Sequence, residues 1–382
     1  ARLVLAAPPG AGKTTRVPLA LAGLLGDAPV IDGKIIMLEP RRIAARMAAQ
    51  QMANSLGEKL GQSVGLTTRV DRKVSAATRV EVITDGLFTR RILSDPELAG
   101  VGAVIFDEFH ERRLNSDLGL TLAMEAQGAL RDDLRILIMS ATLDTEKVSS
   151  VLGAPVVESQ GRQYPVETKY LGRSQDRIED RMAAAVRKAL REEEGSILAF
   201  LPGAREIQRT AEQLETVPDN VRVAPLFGAL SPAEQDAAVS PAPEGMRKIV
   251  LATDIAESAL TIEGVRIVID SGLSRVAEEA AGGLGTRLST VKASRASVDQ
   301  RRGRAGRLSP GVCYRLWDEA ATRGLMPAPV PEILKSDLSG LVLTLAEWGE
   351  RDAGRLTWMD APPAGRLKAA QDLLSTLGAI DE

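Results

Sequence analysis

Short apolar runs separated by amphipathic stretches set the rhythm of the chain. Leu3-Val4-Leu5-Ala6-Ala7 predicts a strand, and a helical pattern opens after Gly10 to Thr15. There follow a strand over Lys34-Ile35-Ile36-Met37-Leu38, a helix over Ile43 to Leu56, a strand over Val80-Glu81-Val82-Ile83, a helix over Asp85 to Leu93 and a strand over Ala103-Val104-Ile105-Phe106. Ile136-Leu137-Ile138-Met139 closes this series before Ser140-Ala141-Thr142. Strands alternating with helices predict a parallel sheet covered by helices.

A turn-rich break around Gly161-Arg162-Gln163-Tyr164-Pro165 precedes a second series of the same kind. It comprises a helix over Asp176 to Glu193, a strand over Ser196 to Phe200, a helix over Ala204 to Thr216 and strands over Val221-Arg222-Val223, Ile249 to Ala252 and Val265 to Ile269. The last two are uninterrupted apolar runs, as in parallel strands buried on both faces. Between Ser271 and Val291, Gly282-Gly283-Leu284-Gly285 separates two segments of strand character, the pattern of a long hairpin. Past Pro327-Ala328-Pro329-Val330-Pro331 the chain turns helical, with Leu338, Leu341, Val342 and Leu345 on one face. A second helix runs from about Ala364 to Leu377, preceded by Pro362-Pro363 and stopped by Gly378. Two tandem α/β domains over residues 1–160 and 161–327, with a small helical domain over 328–382, are the expected organisation.

Aromatic residues make up only 3% of the 382 residues against 44% hydrophobic, so aliphatic side chains must fill the cores. A net charge of −3 gives no overall basic footprint, and phosphate-binding surface has to be sought locally. Arginines gather at Arg41-Arg42, Arg90-Arg91, Arg112-Arg113 and Arg301-Arg302-Gly303-Arg304 with Arg307. The lone Cys313 cannot form an internal disulfide, which suits a reducing, cytoplasmic setting. Neither a run of membrane-spanning length nor a signal-peptide pattern is present, so a soluble chain without a membrane partner is expected. The chain starts without methionine almost on its first strand and reads as part of a longer protein.

Candidate chemistry sits at the ends of these strands. Gly10-Ala11-Gly12-Lys13-Thr14-Thr15 can cradle phosphate: the glycines let backbone N–H groups approach, Lys13 brings a positive charge to the outer phosphates, and the Thr14 hydroxyl can hold Mg²⁺. Ala7 stands where the wider pattern has a glycine. Asp107-Glu108-Phe109-His110 ends the strand that closes at Phe106, and His110 is the chain's only histidine. Phosphoryl transfer to water needs a carboxylate near the metal and a group that activates the water. Asp107 fits the first role and Glu108 the second, so Thr14, Asp107 and Glu108 form a candidate Mg²⁺ set, partly through water. A third component, Gln300 to Arg307 in the second domain, can neutralise charge on the γ-phosphate. A neutral-pH imidazole suggests acid or base work for His110.

In this order the motifs resemble those of superfamily-2 helicases, specifically the DEAH/RHA group. The similarity runs over Gly10 to Thr15, Pro40-Arg41-Arg42, Thr84-Asp85-Gly86, Asp107 to His110, Ser140-Ala141-Thr142, Phe200-Leu201-Pro202-Gly203, Ala252 to Ser258 and Gln300 to Arg307. Phe109, where the eponymous tetrad has alanine, and Ala7-Pro8-Pro9-Gly10-Ala11-Gly12 are similar to the bacterial HrpB-type branch. The resemblance implies two RecA-like parallel-sheet domains followed by a winged-helix domain beginning near Pro331. It implies that Gln300 orients the attacking water and that Arg304 and Arg307 are arginine fingers. With Glu108 as base, the whole set of motifs, similar to that of this family, reassigns His110 to linking the nucleotide state to Gln300 and the second domain. Thr261 and Glu263 match nucleotide-contacting positions, although aspartate is usual at the latter.

A motor that grips without reading bases should contact phosphate and sugar through hydroxyls, backbone N–H groups and arginines. Arg41, Arg42, Arg69, Thr84, Gly203, Gly228 and Thr253 are the candidates. The expected function is an ATP- or NTP-dependent RNA helicase using Mg²⁺ and moving 3′ to 5′ on single-stranded or tailed RNA. The alternatives are an ATP-gated RNA clamp or assembly factor that does not unwind, and a DNA-directed helicase.

Overall fold

The computed structural model describes residues 1–8, 10–141, 145–161, 164–257, 262–279 and 286–381. Two compact units emerge, one of Ala1–Gln160, Ala277–Arg287 and Val330–Glu382, the other of Gly161–Val276 and Leu288–Pro329.

The first unit contains β1 (Arg2–Ala6), α1 (Lys13–Leu21), β2 (Lys34–Glu39), α2 (Arg42–Ser55), β3 (Val64–Thr67), β4 (Arg72–Lys73), β5 (Val80–Thr84), α3 (Asp85–Ser94), β6 (Val101–Phe106), α4 (Leu114–Ala129), β7 (Arg135–Ser140), α5 (Thr145–Leu152) and β8 (Val156–Glu158). Its sheet has the order β4-β3-β5-β2-β6-β7-β1-β8, parallel except for the β3–β4 pair. Successive side chains of a strand face opposite sides. Accordingly Ile35 and Met37 join one core with Ala45, Ala49 and Met52 of α2, while Ile36 and Leu38 join the other with Phe88, Phe106 and Leu122. Three of the five phenylalanines meet there edge to face, Phe88 with Phe106 at 5.9 Å and Phe106 with Phe109 at 6.2 Å.

The second unit contains β9 (Val166–Tyr170), α6 (Ile178–Glu192), β10 (Ser196–Phe200), α7 (Ala204–Gln213), β11 (Val221–Leu226), α8 (Pro232–Val239), β12 (Arg247–Ala252) and β13 (Val265–Asp270). After β13 come β14 (Leu273–Glu279) and β15 (Thr286–Lys292), which pair as a two-stranded ribbon; Gly282 to Gly285, expected to separate the strands of a hairpin, lie outside the described residues. Then follow α9 (Arg295–Gly303), β16 (Gly311–Arg315) and α10 (Glu319–Thr322). The sheet order is β11-β12-β10-β13-β16-β9, parallel throughout.

Residues 330–381 carry α11 (Ser339–Trp348) and α12 (Ala364–Thr376). Leu338, Leu341 and Leu345, the face expected to be buried, share the core of Phe88, Leu118 and Leu122. A wing is a β-ribbon, and none occurs among described residues 330–381; the segment presents helices alone. No described helix is long and apolar enough to cross a membrane.

Candidate nucleotide and nucleic-acid site

Functional residues gather at the C-terminal edges of the sheets, where crossovers in open α/β folds leave a crevice. In the first unit β1, β7 and β6 are neighbours. The phosphate loop follows β1, and Gly10 and Gly12 hold left-handed backbone at φ 88° and 81°. Gly12 caps α1: the Thr15 N–H donates to the Gly12 carbonyl at 3.2 Å, and the Lys13 and Thr14 N–H groups of the first turn have no intrahelical partner. At the variant position, the Ala7 N–H donates to the Ser140 carbonyl at 2.9 Å, tying the loop to β7.

Lys13 is buried, with Nζ 3.5 Å from Glu108 Oε1. The Thr14 hydroxyl donates to Asp107 Oδ2 at 2.5 Å. Asp107 is fixed by its N–H to the Leu38 carbonyl at 3.1 Å, and its Oδ1 accepts from the Glu108 N–H at 2.8 Å. Glu108 lies in left-handed conformation at φ 48°. His110 Nδ1 stands 3.4 Å from Glu108 Oε2 and 3.5 Å from the Ala141 N–H. A protonated Nδ1 can donate to the first and an unprotonated one can accept from the second, but not both at once. The imidazole therefore stands between the tetrad and the end of β7 and engages one of them at a time. Thr142 falls outside the described residues.

Burial pushes the Asp107 carboxyl up to about 6, the Glu108 charge adds to the rise, and Lys13 and the Thr14 hydroxyl partly offset it. Glu39, which closes β2 and is fully buried, is raised well above the carboxylate range by burial and then by Asp107 and Glu108. Hydroxyl and carboxylate oxygens in a pocket with more acid than base suit a hard divalent cation. Among the described residues there is no group of three or more acidic, His or Cys side chains able to cage a metal alone.

The neighbouring half of the same edge belongs to β2, β5 and β3. Arg41 precedes α2 with Nη2 3.2 Å from Glu111 Oε2; Arg42 opens the helix and is exposed. Thr84 ends β5, and Arg69 is exposed in the turn after β3. In the second unit Gly203, Gly228 and Thr253 follow β10, β11 and β12, again three neighbours. Gly203 passes so close to Arg275 and Glu206 that a Cβ there would collide with them. The Thr253 hydroxyl accepts from the Ile255 N–H at 3.4 Å.

Gln300 is buried on α9, Arg304 follows it with Nε donating to the Glu257 carbonyl at 2.9 Å, and Arg307 is half-buried. Glu263 is exposed, and Thr261 lies outside the described residues. Sequence reasoning missed Glu39 and the buried Asp85, which accepts from the Ser116 hydroxyl at 2.5 Å. An acid closing an otherwise apolar strand beside the Asp107 strand was the available signal for Glu39. Asp85 was noticed only as part of a motif.

A glycine loop capping a helix, with lysine and threonine turned to an acid pair two strands away, makes this a P-loop nucleotide site on a RecA-like sheet. Comparison with known proteins narrows the class. The DEAD/DEAH box helicase model matches residues 1–151, and the helicase conserved C-terminal domain model matches residues 181–309. The chain is 50% identical over 384 residues to the ATP-dependent RNA helicase HrpB of Escherichia coli K12, covering 100% of this chain and 47% of that protein. It is 36% identical over 394 residues to the pre-mRNA-splicing factor ATP-dependent RNA helicase prp22 of Schizosaccharomyces pombe, covering 100% of this chain and 33% of the relative. The crystal structure of the E. coli DEAH/RHA helicase HrpB superposes with a TM-score of 0.93 at 50% identity, covering 100% of this chain and 48% of that one. The chain thus spans about half or less of the length of these relatives. It belongs to the DEAH/RHA-type superfamily-2 helicases, in the HrpB group.

Proposed function

We propose that the chain is the motor portion of a nucleic-acid-dependent NTPase: an RNA helicase that hydrolyses ATP or another NTP, steps 3′ to 5′ along single-stranded or tailed RNA and separates the duplex. The observation that carries this is the division of one sheet edge. Strands β1, β7 and β6 present the phosphate loop and acid pair, and β2, β5 and β3 present the backbone-gripping candidates Arg41, Arg42, Thr84 and Arg69. One rigid sheet then carries both nucleotide and strand, so a change at either site reaches the other through β2 and β6. Relatives named as RNA helicases support RNA over DNA as the substrate. In this reading residues 1–160 and 161–327 are the two motor domains, and 328–382 the helical part of a winged-helix domain.

Lys13 would neutralise the outer phosphates while the N–H groups of the first α1 turn hold them. Thr14 and Asp107 would hold Mg²⁺, which would draw negative charge from the β- and γ-phosphates. Glu108 would accept the proton of the attacking water, with the Lys13 ammonium 3.5 Å from its carboxylate. Gln300 would orient that water, and Arg304 and Arg307 would offset charge on the γ-phosphate. Gly203, Gly228 and Thr253 supply the second set of strand contacts, and Glu263 contacts nucleotide. His110, set between Glu108 and Ala141, would pass the state of the site to the coupling motif.

The test is Glu108→Gln, measured by phosphate release and by binding of a fluorescent nucleotide. Release should fall at least 100-fold with binding retained, as expected for loss of a general base. Near wild-type turnover would refute the assignment. Strand displacement on 3′- and 5′-tailed duplexes reads direction; RNA-stimulated hydrolysis without displacement of either would favour a clamp, and preference for DNA tails a DNA-directed motor.

A further inference from the structure

The acidic tetrad runs into a single 3₁₀ turn, Phe109–Glu111, flanked by Glu108 at φ 48° and Arg112 at φ 47°. Left-handed backbone is unfavourable for residues with a Cβ and persists only where surroundings over-determine it. For this turn much of the surrounding structure comes from more than 200 residues downstream. The Glu332 N–H donates to the Arg112 carbonyl at 3.0 Å, and the Glu332 carboxylate accepts from the Leu114 N–H at 3.0 Å. The Arg112 guanidinium, itself buried, forks onto Asp117 at 3.1 and 3.0 Å and reaches Asp360 Oδ2 at 2.7 Å. Its Cζ lies 5.8 Å from the centroid of the Phe109 ring, the residue that departs from the eponymous tetrad. Asp360 Oδ1 also takes Lys147 Nζ at 2.6 Å, on the outer side.

We infer that Glu332 and Asp360 are positioning residues for the hydrolytic turn: by fixing Arg112 they hold Glu108 in its left-handed conformation, so the helical segment 330–382 governs the rate of NTP hydrolysis. This rests on Glu108 being the base. The Arg112 carbonyl is held by the Glu332 N–H and its guanidinium by Asp360 beside Asp117, so displacing the segment releases the Glu332 and Asp360 holds together and leaves Asp117 alone on the guanidinium. Whatever binds or moves residues 330–382 thereby acquires a route to the active site that runs wholly inside the first unit.

Asp360→Asn is nearly isosteric and weakens the ion pairs of Asp360 with Arg112 and with Lys147. With the whole chain held well below its melting midpoint, kcat for ATP should fall about tenfold while KM changes less than twofold, since misplacing a catalytic group costs rate rather than ground-state binding. Lys147→Ala, which removes only the outer partner of Asp360, should keep kcat within about twofold of wild type. Asp360→Glu should recover part of the loss. Amide exchange over residues 108–114 should quicken in Asp360→Asn and in Glu332→Ala, with or without nucleotide. Unchanged kcat and unchanged exchange in Asp360→Asn would overturn the inference, as would equal losses in Asp360→Asn and Lys147→Ala. A wild-type chain without hydrolysis would instead defeat the proposed function, and the exchange measurement would still judge the clamp.

Discussion

Arg301 is the sharpest test of how the second unit is held together. Its side chain is 1% exposed, yet it carries a full charge into the core. Nε donates to Glu257 Oε2 at 2.9 Å, Nη1 to Asp270 Oδ1 at 3.0 Å and the Leu273 carbonyl at 3.1 Å, and Nη2 to the Ser274 hydroxyl at 2.7 Å. The guanidinium sits 5.1 Å from the Phe200 ring centroid. One side chain thus joins the ends of β10 and β13, the start of the ribbon and the loop that holds Arg304. Arg301→Met keeps much of the volume, so the cost is dominated by the charges left behind. Asp270 is fully buried and would lose its counter-ion. Removing one partner of such a pair costs about 3–5 kcal/mol. For a unit of this size each kcal/mol lowers the melting midpoint by roughly 2–4 °C, giving a drop of about 6–20 °C.

Differential scanning calorimetry of wild type, Arg301→Met and Arg301→Met/Asp270→Asn decides the matter. The double variant should recover at least half of the loss, because neutralising both partners removes the stranded charge. A loss under about 1 kcal/mol in the single variant, or a double variant no better than the single, would refute the account.

Two other outcomes follow from the nucleotide edge. Burial lifts the Asp85 carboxyl from 3.8 to about 6, so the folded state binds its proton more tightly and stability is lost as pH rises from about 4 through 6. At pH 7 the cost is at most about 3 kcal/mol, so Asp85→Asn should raise the melting midpoint there and leave it unchanged near pH 4; a difference independent of pH would contradict this. Gly12→Ala must hold φ near 81° and place a Cβ 3.3 Å from Arg16 Cδ, so titration should show nucleotide affinity reduced about tenfold or more for a melting change near 1–2 kcal/mol.

Strands β2, β5, β6, β7, β10, β12 and β13 were readable because buried parallel strands are continuous apolar runs, and the phosphate loop and acid tetrad because their chemistry demands fixed spacing. Helix α4 was not, since Ser116 to Ala126 is buried on nearly every face and leaves no polar stripe to mark a helical period. Strand β3 is only four residues with a glycine inside it, too short to show alternation.

What escaped most completely is how the tetrad is held. The partners of Arg112 lie at Asp117, Glu332 and Asp360, and nothing in the spacing of an arginine and two distant acids distinguishes a buried clamp from solvated surface charge. Motif spacing reports the groups that touch substrate, because each strand end that contributes several of them must hold them at a fixed short spacing. The groups that set backbone strain act through three-dimensional closure and need share no local pattern. This is why the roles of Asp107 and Glu108 could be read from four consecutive letters, whereas the left-handed backbone on which Glu108 depends became visible only once the C-terminal helices were seen packed behind it.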